Sequence, residues 1–100
     1  MSRFAVVFAP AAEADIVDGF CWYRERNGLV ADAFRDEVFS AVDRIAEQPF
    51  KHPIDGDGNR QRVLRRFPYS VFYDLTGTTV TVLAVAHHRR KPGYWLAAPR

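Results

Sequence analysis

The densest chemistry in this chain lies in one run, Ala86-His-His-Arg-Arg-Lys-Pro-Gly-Tyr-Trp95. A histidine here can move a proton near neutral pH. The planar guanidinium of an arginine matches a phosphate, and a tyrosine can stack on a base or donate a hydrogen bond. Together they suit RNA cleavage, where a 2′-hydroxyl loses a proton and charge on the phosphorane is stabilised. His87, Arg90 and Tyr94 are the candidate catalytic set. Arg89 and Lys91, with Arg62, Arg65 and Arg66 earlier in the chain, are the candidate target-binding cations. A competing structural role exists for each residue. For Tyr94 and Trp95 docking on the core is favoured, and for the arginines binding is.

Other motifs carry less. His87-His88 has no cysteine or carboxylate at ligand spacing, so neither a metal nor another cofactor is expected. Gly56-Asp57-Gly58 is a turn, since no Lys-Ser/Thr follows it as in a phosphate loop. Cys21, the only cysteine, lies among Phe20, Trp22 and Tyr23 in a helical pattern and is expected to be a buried, inert thiol. The acid pair Asp36-Glu37 reads as the solvated side of a helix.

The charge is divided along the chain. Residues 1–59 hold eleven acids and six bases, and residues 60–100 hold eight bases and one acid, Asp74. The formal total of +2 conceals a second half near +7, which should attract a polyanion or an acidic partner. One hundred residues with 48% hydrophobic and 14% aromatic content suit one globular domain over 1–100 and exclude a disordered chain. A lone cysteine gives no sign of an oxidising compartment, and no stretch approaches the roughly 20 apolar residues of a membrane span. The expectation is a soluble cytoplasmic protein with no membrane partner.

Positioning these residues requires a scaffold, and the periodicity supplies one. Phe4–Ala9 reads as a strand, and Pro10 with Glu13 and Asp15 opens a helix. Ile16, Phe20 and Tyr23 lie along that helix, and Asn27-Gly28 is its expected left-handed exit. Phe34, Val38, Ala41, Val42 and Ile45 form the stripe of a second helix that Pro49 ends. After a loop the period becomes two: strands are predicted at Arg62–Arg66, Tyr69–Leu75 and Thr79–Ala86, with a hairpin turn at Thr76-Gly77-Thr78. Tyr69, Val71 and Tyr73 should share the core face, with Phe72 opposite. The order β-α-α-β-β-β predicts an α+β fold, a helix hairpin packed on a mainly antiparallel sheet.

With these landmarks in place, the chain resembles the RelE/ParE toxins of bacterial type II toxin–antitoxin modules, which include plasmid-stabilisation systems. The resemblance rests on Pro10-Ala-Ala-Glu-Ala-Asp15, Phe34, Val38, Pro49, Arg62-Val-Leu-Arg-Arg-Phe-Pro-Tyr-Ser-Val-Phe-Tyr73 and Val82–Trp95, in that order. It implies the same β-α-α-β-β-β fold and a cognate antitoxin, expected to lie across Arg62, Arg65, Arg66 and Arg90. RelE-like members cleave mRNA on the ribosome; their C-terminal arginine and tyrosine match Arg90 and Tyr94, and a basic strand residue matches Arg62. Those ribonucleases commonly carry an arginine where this chain has Ser70, with Arg65 or Arg66 available to replace it. ParE-like members use the scaffold without that set and poison DNA gyrase. Between the two targets, His87, Arg90 and Tyr94 favour mRNA cleavage. The alternatives are a non-enzymatic gyrase inhibitor and an inactive relative that still binds antitoxin.

Overall fold

A computed structural model describes residues 3–56 and 58–90. The elements are β1 (Ala5–Phe8), α1 (Pro10–Arg24), α2 (Gly28–Glu47), β2 (Arg60–Val63), β3 (Tyr69–Thr76) and β4 (Thr79–His87). The strands form one sheet in the order β1-β4-β3-β2. β1 runs parallel to β4 and the other two pairings are antiparallel. The α+β arrangement is therefore the predicted one. Gly77, at φ 61°, makes the tight turn between β3 and β4 that a residue with a Cβ would strain.

The core lies between the helix hairpin and one face of the sheet. Phe34, Val38, Ala41, Val42 and Ile45 are all buried along α2, as their spacing predicts. They meet Tyr69, Val71 and Tyr73 of β3 with Val80, Val82 and Val85 of β4. Tyr73 is fully enclosed, and its hydroxyl donates to the Pro49 carbonyl at 2.7 Å. Phe72 is half-buried on the other side of the sheet with Ala84 and Ala86. α1 differs from expectation. Its buried positions are the small or polar Ala12, Asp15 and Gly19, while Ile16, Phe20 and Tyr23 pack only partly against the core. Small residues allow close approach: a Cβ on Gly19 would lie 2.7 Å from the Phe34 ring.

Two irregularities set up the functional end. β1 ends at Phe8, opposite Val82, so the outer edge of β4 loses its strand partner beyond that point. α1 takes over there, and the Asp15 carboxylate accepts the Val85 N–H at 3.0 Å. Nearby, Phe72 pairs with Ala84 but Tyr73 pairs with Val82, which leaves Leu83 as an extra residue. This bulge switches the alternation of β4, so that Val85 joins Val80 and Val82 on the core side.

Several local expectations are corrected. Asn27 does not exit α1 in a left-handed turn. It sits at φ −166° and caps α2, its side chain accepting from Leu29 N at 2.9 Å and Val30 N at 3.4 Å. β2 begins two residues earlier than predicted and ends three earlier, at Val63, because the N–H groups of Arg65 and Arg66 turn to the Glu37 carboxylate. Glu37 is thus not a solvated acid; its side chain is 13% exposed. Cys21 is exposed, since it lies about 200° round α1 from the buried Gly19.

Candidate functional site

The predicted site residues separate into two clefts. His87, Arg89 and Arg90 line one of about 380 Å³, walled by Asp15, Tyr23 and Tyr69 among others. Arg62, Arg65 and Arg66 line another of about 590 Å³, between the end of β2 and α2. Lys91 and Tyr94 lie outside the described residues. The sheet therefore brings His87 and Arg90 together as predicted, but it sets Arg62 with Arg65 and Arg66 in a different cleft.

In the first cleft the groups restrain one another. The His87 ring stands edge-on to Tyr69, with centroids 5.0 Å apart, and its Nδ1 accepts the Arg89 backbone N–H at 3.0 Å. A backbone N–H can only donate, so the Nδ1 lone pair is occupied and a neutral ring carries its proton on Nε2. Burial, helped by Arg89 and His88, holds the His87 pKa below the ordinary 6.5. Burial pushes Tyr69 up to about 12, reinforced by its hydrogen-bonded neighbour Tyr23 and by Asp15 and Asp18. That phenol stays protonated and is no base at neutral pH. Arg90 Nη1 lies 3.9 Å from the buried Asp15 carboxylate.

The second cleft is also internally compensated. Glu37 Oε1 takes the Arg66 Nε at 3.1 Å. Burial alone would raise the Glu37 pKa, but the hydrogen bonds from Arg66 and Arg65 outweigh it and the net shift is downward. On the opposite face of the sheet Ser70, at the position where the resembled ribonucleases carry arginine, is buried, and its Oγ lies 3.0 Å from His88 Nε2.

A sequence model of the family described as the ParE toxin of the type II toxin–antitoxin system parDE matches residues 6–92. The chain belongs to this family. No curated protein sequence matches it. Among solved structures, a chain of the chromosomal ParDE toxin–antitoxin system from P. aeruginosa is similar in fold, with a TM-score of 0.75 at 18% identity. The match covers 84% of this chain and 95% of that one. As a ParE-type toxin, the protein is one half of a toxin–antitoxin pair. No helix among its described residues is long and apolar enough to cross a membrane.

Three residues that shape these clefts gave no clear signal in the sequence: Asp15, Glu37 and Tyr69 as a cleft wall. Asp15 left a trace, since it falls in register with Ala12 and Gly19 on the closely packed face of α1. Both depressed histidines also give a measurable signature. His52 lies below 6.5 through burial, then the charges of Arg62, Lys51 and Arg60. Below the unfolded value the unfolded chain binds more protons at these two rings than the folded one. Their contribution to stability is therefore complete above pH 6.5 and is lost as pH falls from there toward the folded values. Two-dimensional NMR titration should find His52 and His87 both titrating below 6.5; an ordinary or raised value at either would contradict the geometry described.

Proposed function

We propose that this toxin inhibits DNA gyrase by binding it, and that it does not cut mRNA on the ribosome. Membership of the ParE family supports the gyrase target, and the restraints in the His87 cleft support a non-enzymatic mode of action. The observation that carries the reading is the engaged Nδ1 of His87. A ribonuclease needs a lone pair aimed at the 2′-hydroxyl and a cation aimed at the phosphorane. Here the lone pair accepts from Arg89, the neighbouring phenol is held protonated, and Arg90 leans on Asp15. Inhibition by binding needs none of these groups to ionise.

The target-binding assignment of Arg65, Arg66, Arg89 and Lys91 becomes, on this reading, a protein-facing one, and the antitoxin shields part of the same basic half. A His87→Gln variant tests the mode of action. Induced in a bacterial host without antitoxin, it should arrest growth as the parent does, with transcripts left whole in both. Loss of arrest in a folded His87→Gln variant, or cut transcripts with the parent, would return the protein to the ribonuclease reading.

A further inference from the structure

A third group of cations lies away from the His87 cleft, where the segment after α2 meets the outer edge of β2. Arg60 and Arg62 alternate with the exposed Gln61 and Val63, so both project from the same side of the strand. Two residues along a strand separate their backbones by about 6.7 Å. This is close to the spacing of successive phosphates along a nucleic-acid strand. Arg62 Nη1 lies 3.3 Å from His52 Nε2, and the Arg60 guanidinium donates to the His52 carbonyl. Lys51 adds a further charge beside them.

Arg62 also lines the cleft that holds Asp36 and Glu37, but neither acid pairs with it. Among the described residues no carboxylate lies within ion-pair distance of Lys51, Arg60 or Arg62. Asp55, in the same loop, accepts the Asn59 N–H at 3.0 Å. The charges acting on the His52 ring are all cationic. The contrast with Arg66, which Glu37 holds, is direct. Exposed apolar side chains, Phe50, Ile54 and Val63, flank the set, and the Arg60 guanidinium stands 5.4 Å from the Phe50 ring centroid. The charge set points to a polyphosphate, which binds through charge density and the release of its counterions.

We propose that Lys51, His52, Arg60 and Arg62 form a sequence-independent binding site for the phosphate backbone of duplex DNA. Arg60 and Arg62 take adjacent phosphates, and Lys51 supplies long-range attraction. Arg62 leaves His52 Nε2 for the phosphate, and that nitrogen then gains a proton and donates to the same anion. The site does not depend on the gyrase reading, because free DNA is sufficient to reveal it.

The test is fluorescence anisotropy with a short mixed-sequence DNA duplex and the full chain, across a range of salt concentrations. The parent should bind with a salt dependence that reports several neutralised phosphates. Arg60→Gln with Arg62→Gln should weaken binding at least about tenfold and reduce the slope of log K against log salt by about 0.9 for each phosphate no longer neutralised. Lys51→Gln should lower the slope by the equivalent of about one phosphate. Its side chain holds no hydrogen bond or ion pair among the described residues, so this variant reports even if the double change unfolds the loop. Arg35→Gln, on α2 beside Asp32 and Asp36, should leave binding unchanged, and the His52 pKa should rise on adding the duplex. Absence of binding by the parent at low salt would overturn the proposal, as would full binding by the Lys51 and double variants. Displacement of the duplex by polyglutamate at equal charge would reassign the site to an acidic protein segment.

Discussion

Replacing Tyr73 by alanine should remove about 3–5 kcal/mol of folding stability, a large share of the roughly 5–15 kcal/mol that holds a small domain together. Tyr73 is fully enclosed in the largest core cluster, between α2 and the middle of the sheet. Removing this buried ring leaves a cavity and also strands the Pro49 carbonyl that its hydroxyl satisfies. Tyr73→Phe separates the two effects. It keeps the ring and leaves the carbonyl without its donor, at about 1–3 kcal/mol. Urea denaturation of the three proteins checks the order. An alanine variant with the parent's midpoint would refute the placement of this ring. Loss of toxicity in Tyr73→Ala would report unfolding, not a role in target binding.

Asp15→Ala should have the next largest effect, about 1.5–3 kcal/mol for a hydrogen bond accepted by a charged group. The cause is particular to this sheet. β1 is too short to pair the far end of β4, and the Asp15 carboxylate stands in for the missing strand at the Val85 N–H. Alanine leaves that edge amide without its acceptor and removes the carboxylate beside Arg90. Asp15→Asn keeps an oxygen acceptor and should retain most of the stability. Hydrogen exchange at Val85 is the direct readout: slow in the parent and in Asp15→Asn, fast in Asp15→Ala. Equal protection in all three would show that the carboxylate does not hold this strand.

The parts of this structure that were legible in the sequence are those governed by one dominant period. The α2 stripe and the alternation of Tyr69, Val71 and Tyr73 each bury apolar residues at regular spacing, so pattern alone places them. α1 was less legible because it packs through Ala12, Asp15 and Gly19, and small or polar residues carry no hydrophobic signal. Asn27 was misplaced because asparagine serves both helix exits and helix starts, and here its side chain found the free N–H groups of α2. The end of β2 depended on Glu37, some thirty residues away, and no local rule reaches that far.

The candidate site shows the same division. The run from His87 to Arg90 announced itself by composition, and His87 and Arg90 do share a cleft. The sequence could not show that the Leu83 bulge shifts the alternation of β4, or that the His87 lone pair turns to Arg89. Nor could it show that the positive second half divides into compensated and uncompensated parts. Arg66 is held by Glu37, whereas Arg60 and Arg62 have no carboxylate within ion-pair distance among the described residues.

The most direct test of the binding mode of action is a supercoiling assay with purified toxin, purified gyrase and relaxed plasmid, run beside a ribosome-bound mRNA substrate. The parent and His87→Gln alike should abolish supercoiling in a dose-dependent way, with the mRNA intact at every dose. Cleaved mRNA with gyrase fully active would contradict the binding mode of action.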